Sequence, residues 1–359
     1  MIKPTGTVAR RYMVDIEDIT RRTRDNCHIS DARYAGNYTM CIFLLKMREY
    51  YRWEQRLPFD VQLPREQLGD WLVQREALWN EVEENDYHSL PLPEPVDPLD
   101  STTVNARLIP EGYIYSSGFG VFGKPHFFLG QLQRNEIVEG NTLYVVGDEL
   151  ARDLVAPPAM SQGNTIFIRR ESVKRFMWER IEQWQWSGRK ERAMTYAVSL
   201  YGDDNDLDKL LDVMTDNEIN TMILHEIGEA RVGRELGEAQ QHWQDMVSTF
   251  ASSRTEFLLR ATRDIIADCN VTLPTLLDES NDAALHFYFA NYSGMRKHLF
   301  PEMLDAYHQF LDHRSKQPLL ELARVGAEQW QRKLDETVQN WTRSGSLEAE
   351  QISRILEAA

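Results

Sequence analysis

The sequence predicts an α+β protein that is predominantly α-helical: an N-terminal helical segment, a small and mostly antiparallel β-sheet, and a large C-terminal helical bundle. Three observations carry that reading. Apolar residues recur every three to four positions up to Val82 and again from Glu171, the period of an amphipathic helix. Between those stretches lie short β-prone runs separated by Gly, Pro and Asn. No fixed-period repeat is present, which excludes a solenoid. The expected partition is 1–100 for the helical segment, 101–170 for the β-rich region and 171–359 for the bundle.

The elements follow in chain order. Asp31-Ala32-Arg33-Tyr34 reads as an N-cap region with Asp31 as the cap, or as a small anion pocket with Arg33. A helix over Tyr34–Glu54 carries Cys41, Ile42, Leu44, Leu45 and Met47 on its apolar part. A second helix begins after Pro64, a good first-turn residue, with Leu68, Trp71, Leu72, Leu78, Trp79 and Val82 as its stripe. Leu90–Pro98 holds four prolines in nine residues, which forbids a helix or a sheet interior and predicts an extended linker. Strands are expected at Tyr113–Tyr115, His126–Leu129, Thr142–Val146 and Thr165–Ile168, with a turn at Glu139-Gly140-Asn141. Helices are expected over Glu171–Trp186, from a cap at Thr215 or Asp216 to Gly237, and from Glu238 to Cys269, stopping before Pro274. Further helical patterns occupy 281–292, 301–313, 317–343 and 346–358.

Composition narrows the function classes. The chain has 359 residues with 42% hydrophobic and 27% charged, enough apolar material for a core without disulfide staples. No run approaches the ~18 apolar residues of a spanning helix, so no membrane role is expected. Lys and Arg number 40 against 56 Asp and Glu, a net charge of −16 that repels phosphate backbones and speaks against nucleic-acid binding. Met1 to Arg11 lacks the apolar stretch of a secretory signal. The cysteines, Cys27, Cys41 and Cys269, are odd in number and form no CxxC. A reducing cytoplasm is therefore the expected compartment.

Most catalytic motifs are absent. There is no GxSxG elbow and no Walker phosphate loop. Gly118-Phe119-Gly120-Val121-Phe122-Gly123 matches GxGxxG, but Lys124-Pro125 and an aromatic run follow it where a dinucleotide fingerprint needs a helix. It reads as a glycine hairpin whose Phe119, Phe122 and Phe127 are candidates for contacting a protein partner.

The informative stretch is Ile219 to Gly237. At ~100° per residue, Ile219, Ile223, Ile227 and Ala230 share one helix face. Glu226 projects into that face, and His225 and Glu229 run along its rim one turn apart, a spacing that can hold a single cation. In the next helix Asp264 and Asp268 fall within the stripe of Trp243, Phe250, Phe257, Ala261 and Ile265. Acids on an apolar face need an arginine, a metal or protons as partners. Arg254 and Arg260 are in rotational reach, and His286 opens a short aromatic helix.

Two functions from different classes follow. In the first, His225, Glu229, Asp264 and His286 ligate a divalent metal (zinc, iron or manganese). Glu226 then acts as the catalytic base in hydrolysis of a small-molecule or peptide-like substrate. In the second, the protein is a non-catalytic interaction or scaffold protein and the acids form a salt-bridge network. What separates the two is whether the acids meet each other or meet arginines.

Overall fold

The computed structural model describes residues 14–120, 123–202, 205–279 and 281–358. Contacts divide the chain into two units. Met1–Leu57, Leu63–Gln133 and Val146–Ala156 form the first; Pro58–Gln62, Arg134–Val145 and Pro157–Ala359 form the second. Most of the expected segments 1–100 and 101–170 falls within the first unit. The family of elements is nonetheless α+β and predominantly helical.

The first unit contains α1 (Ile16–Tyr34), α2 (Met40–Glu54), α3 (Arg65–Val82) and α4 (Ser101–Leu108). Helix α1 has no strong apolar stripe, and the sequence reading misses it. Its buried face alternates Ile19 and Cys27 with Thr23, Asn26, Ser30 and Asp31. Each polar group there is satisfied by specific partners, the condition for burying it. Asn26 exchanges two hydrogen bonds with the His88 backbone, at 2.7 and 2.9 Å. Cys27 donates to the Phe127 carbonyl at 3.2 Å. Asp31 is not a cap, since Asp15 caps this helix. It sits in the last turns of α1 and accepts from Lys124 Nζ at 2.6 Å. Arg33 instead donates to the Glu83 and Asn85 carbonyls, so no Asp31–Arg33 anion pocket forms. The proline-rich segment is not a solvated linker. Leu90 and Leu92 are buried with Val104, Leu108, Tyr115 and Phe127 in a small core.

The five strands are β1 (Tyr113–Phe119), β2 (Pro125–Val138), β3 (Asn141–Arg152), β4 (Ala159–Gln162) and β5 (Thr165–Arg169), in the order β1-β2-β3-β5-β4. Strands β1 and β2 pair antiparallel, Tyr113 opposite Gln131 and Phe119 opposite Pro125. The expected turn closes β2 onto β3: Glu139 and Gly140 both adopt positive φ, 48° and 81°, as a two-residue I′ hairpin requires. Strand β4, too polar to be read from sequence, pairs antiparallel with β5.

The second unit holds eleven helices among its described residues: α5 (Arg170–Trp186), α6 (Arg192–Tyr201), α7 (Leu207–Leu236), α8 (Ala239–Thr249), α9 (Arg254–Ala267), α10 (Leu273–Asp278), α11 (Asp282–Ala290), α12 (Gly294–Leu299), α13 (Glu302–His313), α14 (Gln317–Ser344) and α15 (Ala349–Leu356). Three differences from expectation bear on the site. Helix α7 starts two turns earlier than expected, capped by Asp206, so Glu218 lies mid-helix and buried instead of in a first turn. The helix expected over 238–269 is broken at 250–253, where Ser253 caps α9. That break turns Phe257 outward, 55% exposed, and removes it from the stripe. Helix α9 also does not stop before Pro274. It continues through a π-helical turn at Asp268–Thr272 into α10, with Pro274 in the first turn of that helix. A widened turn lets the path accommodate a proline that lacks an N–H and would crowd the preceding turn.

Candidate metal centre

Helices α7 and α9 cross closely because Gly228 has no side chain. A Cβ there would come within 2.9 Å of both the Cβ and the carbonyl oxygen of Ala267. The close crossing brings the rim of α7 onto the acids of α9. One ligand atom each from His225, Glu229 and Asp264 lies within 4.8 Å of the other two. His225 Nε2 is 3.6 Å from Glu229 and 4.0 Å from Asp264.

The other imidazole nitrogen is fixed. His225 Nδ1 is 2.8 Å from Asp268 Oδ1, and Asp268 Oδ2 accepts from Tyr288 at 2.8 Å and from Arg296 at 2.6 Å. Asp268 is thus fully buried and fully partnered. Burial opposes its charge, but Arg296 and His225 outweigh this and hold the carboxyl at about 2. Burial likewise opposes charge on His225, and Asp268, with Glu229 after it, holds the ring well above its ordinary range. Glu229 is pulled down to about 2 by His225 and Arg263 against burial. Asp264 goes the other way: burial, reinforced by Glu229, pushes it up to about 7. Two carboxyls this close oppose each other's ionisation.

The arginines named from the sequence are elsewhere. Arg254 pairs with Glu357 at 3.0 Å, and Arg260 with Glu256 at 2.7 Å. The partners are Arg296 on Asp268 and Arg263, whose Nε lies 3.8 Å from Glu229 and whose Nη2 donates to its backbone carbonyl at 2.8 Å. Four carboxyls (Glu226, Glu229, Asp264 and Asp268) therefore face two guanidinium groups among the described residues. His225, whose ring is held in its charged form, is a third cation, and the raised Asp264 and Glu226 carboxyls reduce the negative charge around it. Glu226 accepts from the Ser161 hydroxyl on β4, and burial together with Glu229 raises its pKa.

His286 does not join the cluster. It is buried, with Nδ1 2.7 Å from the Tyr307 hydroxyl and its ring stacked on Tyr196. Its neighbours Phe287 and Tyr288 face the site instead, one and two steps of ~100° around α11. Of the hairpin aromatics, Phe119 is exposed, Phe127 is core, and Phe122 lies outside the described residues.

Two cavities adjoin the cluster. One of about 220 Å³ is lined by Phe176, Met222, Phe287, Glu218, His225 and Asp264. The other, about 560 Å³, is polar and lined by Glu229, Asp264, Arg260, Arg263, Gln241 and Gln244. Sequence reasoning missed Ser161, Arg263, Tyr288 and Arg296. Only tertiary packing brings them in, although the buried acids signalled that partners of their kind must exist.

Residues 18–169 match the N-terminal domain, and residues 174–359 the C-terminal domain, of a family of unknown function (DUF6866), so the chain belongs to that family. No curated protein and no solved structure matches it. No helix among the described residues is long and apolar enough to cross a membrane.

Proposed function

We propose that the protein is a metal-dependent hydrolase whose divalent cation, zinc, iron or manganese, is held by His225 Nε2, Glu229 and Asp264. One observation carries the reading: three donors converge within 4.8 Å while the remaining nitrogen of the histidine is fixed on a buried carboxylate. A ligand histidine whose other nitrogen donates to a carboxylate is the usual outer-shell arrangement at metal sites, and it sets the tautomer. Here Asp268 accepts from His225 Nδ1–H, so that a cation displacing the proton on Nε2 would be ligated by that nitrogen, and Tyr288 and Arg296 keep Asp268 from turning away.

Such a cation would lower the pKa of a water molecule. Three protein ligands leave a coordination position for that water. Glu226, held by Ser161 and lining the same cavity, would accept its proton. A small-molecule or peptide-like substrate fits the adjoining cavities.

The test is elemental analysis of tag-free protein beside His225→Ala/Glu229→Ala, with thermal unfolding before and after chelation. We expect about one equivalent of metal in the parent and none in the variant. Chelation should cost the parent about 3 kcal/mol if metal stands at a hundredfold over its Kd, and the variant nothing. Metal-free parent protein whose stability ignores both chelator and added cation would overturn the reading. The acids would then stand as the salt-bridge network of a non-catalytic scaffold protein.

A further inference from the structure

Resting on that reading, we infer that the smaller cavity takes an uncharged, largely apolar group of the substrate, and that the Thr272 hydroxyl donates to a hydrogen-bond acceptor carried by that group. The substrate class is then a neutral small molecule or an uncharged peptide-like amide.

The first observation is an unspent donor. Thr272 is 1% exposed, lines the cavity, and its hydroxyl has no hydrogen-bond partner. Two other buried helical threonines bond back one turn: Thr215 to the Leu211 carbonyl at 2.6 Å and Thr262 to the Leu258 carbonyl at 2.9 Å. Thr272 closes the π-helical turn, where the Asp268 carbonyl takes the Leu273 N–H. A buried hydroxyl without a partner is costly, and a ligand atom that accepts from it removes the cost.

The second observation is that the charges lining the cavity are already spent on one another. Asp268 holds His225, Tyr288 and Arg296, and Arg296 also donates to the Asn291 carbonyl at 3.2 Å. Asp264 faces the His225 ring, 4.0 Å from Nε2, and Glu226 takes the Ser161 hydroxyl. Glu218 accepts from Tyr201, and burial keeps it protonated up to about 8, so it brings no charge near neutral pH. A ligand charge of either sign would compete with a partner already in place, and burying it unpaired is costly. An uncharged group displaces none of these partners.

The remaining wall is apolar: Phe176, Met222 and Phe287. At about 220 Å³ the cavity is below the ~300 Å³ where drug-sized ligand sites begin, so it suits one group of a substrate and not the whole of a large one. His225 and Asp264, two of the three proposed ligands, line the same cavity. A group seated there lies beside the proposed cation.

The experiment uses the full chain, stripped of metal with a chelator, and three probes of nearly one shape: 3-phenylpropanamide, 3-phenylpropanoate and 3-phenylpropylammonium. Binding is read by calorimetry at neutral pH, and the metal content of untreated protein is read separately. We expect the amide to bind and each charged probe to bind at least about ten-fold more weakly. Thr272→Val should weaken the amide about five-fold, the worth of one neutral hydrogen bond, and Thr272→Ser, which keeps the hydroxyl, should retain it. Without ligand, Thr272→Val should melt no lower than the parent, because the hydroxyl it removes has no partner. Thr262→Val should melt about 2–4 °C lower and leave the amide's affinity unchanged. No binding of the amide, a charged probe that binds as tightly, or an affinity that ignores Thr272→Val overturns this inference and leaves the metal site standing. Untreated protein without metal, beside a bound amide that answers to Thr272, overturns the metal reading and leaves the cavity as a site for an uncharged ligand.

Discussion

Both units bury a cluster of charges, and the two are built differently. In the first, Lys124 lies 2.6 Å from Asp31 and 3.5 Å from Asp153, and all three side chains are buried. The remaining lone pairs are taken by backbone: Leu154 N–H donates to Asp31 at 3.0 Å, and the Val155 and Ala156 N–H groups to Asp153 at 3.2 Å. In the second, Glu229 and Asp264 converge on His225 Nε2 at 3.6 and 4.0 Å, and Arg263 Nε approaches Glu229 only to 3.8 Å. The first arrangement is the geometry that lets a buried ion group hold together. The second has longer charge contacts and converging donors, the arrangement the proposed cation would need.

The comparison is broken most severely by Lys124→Met. It leaves a buried carboxylate pair without its cation and should cost about 3–5 kcal/mol in denaturant unfolding. A loss under about 1 kcal/mol would mean that the triad is no staple.

Glu218 sharpens the contrast, because it is buried with only hydroxyl partners: Tyr201 donates to it, and burial pushes it up to about 8. The folded state therefore holds a proton that the unfolded chain releases near its ordinary value. That stabilisation is complete below about pH 4.5 and is lost as pH rises toward 8, a change on the order of 3 kcal/mol. Glu218→Gln should flatten the slope over that window. An unchanged slope in unfolding free energy against pH would assign it to other groups.

Asp268→Asn keeps the shape at His225 Nδ1 and removes the charge that orients it. Metal affinity measured by competition with a chelator should fall about 10–100-fold. Equal affinity would show that Asp268 is no part of the centre. The smallest effect is expected from Asp264→Asn in chelated protein. It relieves the crowding with Glu229 and should stabilise by about 1 kcal/mol, the reverse of the Lys124 result. A comparable loss instead would make the two clusters the same kind of object.

Much of the second unit is legible in the sequence, because its helices bury apolar stripes at a regular spacing. Rotation around α7 places Glu226 in the buried face and His225 and Glu229 on its rim, as the structure has them. Asp264 and Asp268 follow because α9 runs unbroken from Arg254 to Ala267, even though the longer helix assumed for them does not exist. Helix α1 is illegible for the converse reason: the face it buries is largely polar, and hydropathy carries no mark of partners supplied by distant backbone. His286 misled because a histidine among aromatics has the same local pattern whether it faces a site or a Tyr307 hydroxyl.

By itself, then, the sequence determined the fold class, the face of α7 that carries the acids, and the need of those acids for partners, since periodicity and the cost of burying charge are local properties. Tertiary structure alone decided who the partners are. Tyr288 and Arg296 reach Asp268 from 20 and 28 residues away, Ser161 reaches Glu226 from 65 residues away on a strand with no apolar signature, and Gly228 matters only because Ala267 lies against it. Charge balance at a buried site is a sum over neighbours in space, and the chain order does not contain that sum.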